Sequence, residues 1–183
     1  GHSLTQSLAI LEYLNETRAA GWLPDDPADR ARVRALAYAV AIDIHPVCNL
    51  RVARHAVSLG ATMEGWMGHF ITLGLAGVEG LMPPVQDRQV TLADICLVPQ
   101  VYNARRWGVD LSPFPRLVAR ADWLGALPAF HAAHPDQVKP AGRLGSGHRA
   151  IVARLRNRDR WPTMTDKTSG FDLEDFLPYL LNQ

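Results

Sequence analysis

Three short stretches of this 183-residue chain carry polar side chains at spacings that suit an anionic small molecule. Gln6-Ser7 opens a helical pattern. Free backbone N–H groups and the positive end of the helix dipole at such a position favour a carboxylate. The plainer alternative is that Ser7 is an ordinary polar residue of a first turn. The second stretch is Asp43-Ile44-His45-Pro46-Val47-Cys48-Asn49-Leu50-Arg51. A proline that interrupts a helix frees backbone groups and turns neighbouring side chains into a cleft, where His45, Asn49 and Arg51 could donate to an anion. Here the alternative is a structural histidine with its hydrogen bonds met inside the fold. The third is Asn103-Ala104-Arg105-Arg106-Trp107. A guanidinium recognises a carboxylate through two parallel hydrogen bonds, although arginines at a helix C-terminus also simply complement the dipole. Arg105 is expected to be the more exposed of the two. The His and Cys residues lack metal-ligand spacing, so no metal site is expected. The chain has no GxSxG elbow, phosphate loop or nucleophile–base pair.

The elements that must position these residues are helical; strand alternation is scarce, and the fold class predicted is all-α. Ser3 or Thr5 is placed to cap a first helix with Leu8, Ile10, Leu11 and Leu14 on its apolar side, ended by Gly21 and Pro24. Asp26-Pro27 puts a cap before a proline at the first helical position, and the apolar pattern then runs through Val33, Leu36, Ala37, Val40, Ala41 and Ile44. A kink or break is expected at Pro46, with the pattern resuming to about Leu59. A glycine-rich helix is predicted over 62–81. Thr91-Leu92-Ala93-Asp94 resembles a capping box, flanked by Val90 and Ile95 as a hydrophobic staple, for a helix reaching about Trp107. Shorter helices are predicted over 115–124 and 128–133.

The hydrophobic fraction is 48% and the charged fraction 20%, which excludes wholesale disorder. The net charge of +1 conceals three unlike segments. Residues 1–135 carry eleven arginines and twelve acids, 136–163 carry a net +5, and 164–183 carry a net −3. The basic strip lacks interleaved aromatics, so no nucleic-acid partner is expected. No apolar run approaches the ~20 residues of a membrane helix. With no secretory leader, and two cysteines that make no disulfide framework, a cytoplasmic protein with two buried thiols is expected.

Taken together, LTQSLAILEYL (4–14), LPDDPADRARVRAL (23–36), DIHPVCNLRV (43–52), TLADICLVPQVYNARRWGVDL (91–111) and LPAFHAAHPDQ (127–137) resemble the zeta-class glutathione transferases, and among them the bacterial maleylacetoacetate isomerases. The resemblance covers about residues 1–138. It implies a glutathione transferase C-terminal-like helical domain over 22–138, preceded at 1–21 by the last helix of a thioredoxin-like domain that is largely missing. It implies glutathione as cofactor, held by Gln6, Ser7, His45, Asn49, Leu50 and Arg51, and Arg106 on the carboxylate of a small dicarboxylate substrate. It implies a cis–trans isomerase of maleylacetoacetate in aromatic amino acid catabolism, homodimeric in its full-length form. The family's Ser-Ser-Cys catalytic motif is absent from these residues, so no catalytic residue is assigned and the chain is expected to be inactive alone. A maleylpyruvate isomerase and a non-catalytic transferase-like binding module are the alternatives. Leu50 follows the maleylacetoacetate pattern, where maleylpyruvate isomerases tend to carry arginine. Residues 139–183 read as linker and a non-native or disordered tail, and 164–183 resemble the start of a MarR-type regulator.

Overall fold

The computed structural model describes residues 4–84 and 87–137. The expected linker and tail, and the proposed Ser3 cap, lie outside the described residues. Among those described there are seven α-helices, one π-helical segment and no strand. The helices are α1 (Ser7–Arg18), α2 (Pro27–Tyr38), α3 (Leu50–Ser58), α4 (Met63–Leu81), α5 (Leu92–Arg106), α6 (Pro115–Gly125) and α7 (Pro128–Ala132). The π segment, Ala39–Ile44, continues α2 without a break.

Local chemistry explains most of the boundaries. Asp26 caps α2 by accepting from the Ala28 and Asp29 N–H groups, both at 2.9 Å, with Pro27 as the first helical residue. Thr62 caps α4 through the Gly65 N–H at 3.1 Å. The capping box of α5 is present: the Asp94 carboxylate accepts from the Thr91 N–H at 2.7 Å and from the Thr91 hydroxyl at 2.9 Å.

Three expectations need correction. Thr5 does not occupy the cap position of α1; Gln6 does, and it makes no side-chain cap bond. The helix stops not at Gly21 but at Ala19, in the left-handed region at φ 49°, because the Asn15 side chain turns to accept the Trp22 N–H at 2.8 Å. Finally, the interruption near Pro46 begins earlier than the proline itself. From Ala39 the backbone widens to π geometry, ending with the His45 N–H on the Val40 carbonyl at 3.1 Å, and turns at 45–48 follow.

Helix α5 is the centre of the bundle. Leu92, Ala93, Asp94, Ile95, Cys96, Leu97, Pro99, Gln100, Val101 and Ala104 are all buried, so it is covered on every side. It packs on α2, the π segment, α4 and α6. Both cysteines are free and buried, and burial pushes their thiols up, Cys48 to about 11 and Cys96 to about 12. They are therefore protonated and unreactive at neutral pH.

Glu79 near the end of α4 supplies the N-terminal cap that α6 lacks. Its carboxylate accepts from the Arg116 N–H at 3.1 Å, the Leu117 N–H at 2.9 Å and the Arg116 Nε at 3.0 Å. Burial alone would raise its pKa, but these bonds outweigh it and hold the carboxyl below its ordinary value of 4.5. A depressed folded-state pKa stabilises the fold above the unfolded value, and that stability is lost as pH falls through the folded one. Glu79→Gln should therefore cost roughly 1–2 kcal/mol at pH 7. Urea unfolding of the two proteins should converge as pH falls below about 4.5, and a gap unchanged down to pH 3 would exclude this role.

Candidate functional site

Directions in the bundle follow from a few bonds. Glu12 of α1 accepts from Arg34 Nε at 2.7 Å and meets the Tyr38 hydroxyl at 3.5 Å, both on α2. With only a short connection between them, α1 and α2 are thus antiparallel. Beyond the far end of α1, the Trp22 carbonyl accepts from the Leu92 N–H, the first of α5, at 2.9 Å. Both α2 and α5 therefore run away from Trp22. The start of α1, the end of the π segment and the second half of α5 all lie toward one end of the molecule. All three sequence-selected stretches sit at that end.

Each residue there has a distinct setting. Gln6 is exposed, with φ 71° and ψ 115°, a backbone conformation that is costly for a residue with a Cβ. Such strain concentrates at ligand clamps. Ser7, half-buried, is the first residue of α1. His45 is half-buried immediately after the π segment. Burial lowers its pKa, and the neighbouring Gln100 amide partly opposes that. Asn49 caps α3 by accepting the Arg51 N–H at 2.9 Å, so its carboxamide oxygen is committed while its Nδ2 donors are not. Leu50 (41% exposed) and Arg51 lie open on the first turn of α3. The loop before α3 is braced from α4, where Trp66 Nε1 donates to the Val47 carbonyl at 2.9 Å.

Arg105 and Arg106 are both exposed; what separates them is pairing. Arg105 Nη2 holds Asp122 of α6 at 2.7 Å. Arg106, at the last position of α5, makes no hydrogen bond or ion pair among the described residues, and the same is true of the side chains of Gln6, Ser7 and Arg51. Arg51 and Arg106 are exposed, the backbone at Gln6 is strained and His45 is half-buried; each is a group of a kind that can meet an anion. No group of three or more His, Cys, Asp or Glu among the described residues could hold a metal ion. No described helix is long and apolar enough to cross a membrane.

One residue at this end was not singled out by spacing. Gln100 is fully buried, and neither polar atom of its amide has a hydrogen-bond partner. The signal was a lone amide in ICLVPQV (95–101), a run that is otherwise apolar.

No family profile matches the chain, but individual proteins do. It is 53% identical over 151 residues to the maleylacetoacetate isomerase of Rhizobium meliloti (strain 1021), an alignment covering 76% of this chain and 71% of that protein. It is 43% identical over 143 residues to a probable maleylacetoacetate isomerase of Vibrio cholerae, covering 73% of this chain and 66% of the relative. The structure superposes with a TM-score of 0.73 and 42% identity on the maleylacetoacetate isomerase of Anaeromyxobacter dehalogenans 2CP-1 with glutathione bound in its active site, covering 78% and 68% of the two chains. Another crystal structure of that enzyme holds dicarboxyethyl glutathione and citrate in the active site. With a maleylpyruvate isomerase described as a bacterial zeta-class glutathione transferase, the TM-score is 0.71 at 39% identity, covering 76% and 71%. The fold is that of a zeta-class glutathione transferase. Within that class, the chain belongs to the maleylacetoacetate isomerase family.

Proposed function

We propose that this end of the molecule binds glutathione and a dicarboxylate, as the positioning half of a maleylacetoacetate isomerase site. The observation that carries the reading is the strained Gln6 backbone, at φ 71°, beside the free N–H groups of α1. Strain of that kind persists only where the surroundings impose it. Gln6 and Ser7 would take the γ-glutamyl end of glutathione, and His45, Asn49, Leu50 and Arg51 its other end. Arg106 would hold the substrate carboxylate, since its neighbour Arg105 is already paired with Asp122.

When bound, glutathione supplies a thiolate that adds to a carbon–carbon double bond conjugated to a carbonyl, allows rotation about the resulting single bond, and leaves unchanged. The residues described here hold the two anions in register, so that reacting atoms meet without a search. The Arg106 charge also favours the enolate-like charge that develops next to the carboxylate it grips. The thiolate itself needs donors of the Ser-Ser-Cys type, which these residues do not include. The chain is therefore proposed to bind both ligands while turning over well below about 1 s⁻¹, a low rate for an enzyme. The Leu50 side chain favours maleylacetoacetate over maleylpyruvate.

Isothermal titration with glutathione and with dicarboxyethyl glutathione tests this on the chain itself. Arg106→Ala should weaken the dicarboxyethyl conjugate by roughly 10- to 100-fold, the worth of a charge-assisted pair, and glutathione by much less. Equal losses for both ligands would remove Arg106 from the substrate site. Failure of the unaltered chain to bind either ligand would remove the whole reading.

A further inference from the structure

A buried amide with nothing to bond is costly, about 1–3 kcal/mol for each group left unsatisfied. Buried polar groups in folded proteins nearly always have partners. Gln100 breaks that rule twice, at Oε1 and at Nε2, from the middle of the most buried helix among the described residues. An unmet cost of this kind points to a function or a missing partner. The His45 imidazole, whose pKa this amide raises, sits at the junction of the π segment and the turn at 45–48. The two come together because α5 packs directly on the π segment. Widening of α2 into π geometry inserts an extra residue per turn and so shifts His45 relative to a regular helix.

We propose that Gln100 is a positioning residue for His45: its amide oxygen accepts the proton of the ring nitrogen facing it, and so turns the opposite nitrogen out toward the carboxylate of glutathione. This rests on the assignment of His45 to the glutathione site made above. The ring has only two nitrogens, and a bond made by one determines the tautomer and the aim of the other. Burial lowers the pKa of the ring and the Gln100 amide partly opposes that, and on this proposal the proton of the neutral ring lies on the Gln100 side. A carboxylate arriving at the outer nitrogen is bound when that nitrogen takes a proton from solvent, so that the imidazolium lies between two oxygen acceptors. Only burial and the Gln100 amide act on the ring. Trp66, which reaches the loop from α4, is uncharged, and Asp43 and Arg51, the charged residues nearest in sequence, are both exposed. The unmet amide oxygen is thereby explained: it is held ready for the imidazole, and its buried position keeps water from competing for it.

The test uses the 183-residue chain and two variants, Gln100→Met, which preserves length and flexibility, and Gln100→Leu as a second apolar replacement. The first readout is the nitrogen-15 NMR spectrum of the His45 ring in the absence of any ligand, with His45→Ala used for assignment. A single tautomer in the unaltered protein that becomes a mixture in both Gln100 variants is expected. An unchanged tautomer in either folded variant would overturn the proposal. The second readout is glutathione affinity by titration. Gln100→Met should weaken it about 10-fold, the equivalent of one hydrogen bond. In the His45→Ala background the same substitution should have no further effect, because Gln100 acts only through the ring. Additive losses would mean that Gln100 is merely structural, and overturn the proposal. If the unaltered chain binds no glutathione, the site assignment fails, and the tautomer measurement still decides whether Gln100 sets the ring.

Discussion

Replacing Arg120 by methionine is expected to lower the free energy of unfolding by about 3–5 kcal/mol, the range for stripping one partner from a buried ion pair. Arg120 and Asp94 have side-chain exposures of 7% and 5%. The guanidinium grips the carboxylate with two bonds, Nε to Oδ1 and Nη2 to Oδ2, both at 2.7 Å. Its remaining donors reach the Asp87 carbonyl and, at 2.5 Å, the Gln89 carbonyl, and its flat face lies 4.6 Å from the centre of the Trp123 ring. Removing it leaves Asp94 charged, buried and answered only by Thr91, and leaves two loop carbonyls without donors. Lysine should rescue little, because a point charge on a flexible stem cannot reproduce the fork. Urea unfolding at pH 7 measures the loss. A change under 1 kcal/mol would show that solvent or another cation replaces the guanidinium. The functional consequence is indirect. The Arg120–Asp94 pair anchors the start of α5, and through it Gln100 and Arg106, so glutathione binding should weaken in parallel with stability.

Gly74→Ala should lower stability by about 2 kcal/mol, although alanine normally stabilises a helix interior by roughly 1 kcal/mol over glycine. A methyl group at position 74 would lie 2.3 Å from Ile44 Cγ1 and 2.7 Å from its Cδ1. Ile44 is 1% exposed and has nowhere to retreat, so overpacking outweighs propensity. The same helix carries an internal control. Gly77 has open space around its Cα, and Gly77→Ala is expected to raise stability. Opposite signs for two identical substitutions three residues apart would show that the close approach of α4 to the π segment is what requires glycine. If Gly74→Ala proved as stabilising as Gly77→Ala, that contact would not exist in solution. Because Ile44 precedes His45, the Gly74 variant should also lose glutathione affinity beyond what its stability predicts.

These residues show where the sequence was legible. Asp26-Pro27, Thr62 and Thr91–Asp94 are local signals: each cap bonds a backbone group two or three residues away, so the chain states them without any fold. Asn49 belongs to the same class, although a cleft donor was expected there and a cap was found. Glu79 and Arg120 were not legible. Each satisfies groups 26 to 38 residues away, and nothing in the spacing of a glutamate or an arginine reveals a distant helix start or loop. Between Arg105 and Arg106, sequence offered only adjacency; the Asp122 carboxylate decides which is available.

From its sequence alone this chain is helical, near-neutral over its body, built around a capped central helix, and similar to zeta-class transferases in motifs at 4–14, 43–52 and 91–111. Those properties follow from periodicity and short-range hydrogen bonds. Only the tertiary structure reveals the π winding of Ala39–Ile44, the strained backbone of Gln6, the pinch between Gly74 and Ile44, and the burial of the Gln100 amide without a partner. Each of these is locally unfavourable, and the residues involved would relax to something else if free. They hold because surrounding packing compensates, and packing is a property of helices distant in sequence rather than of the residues that bear the cost.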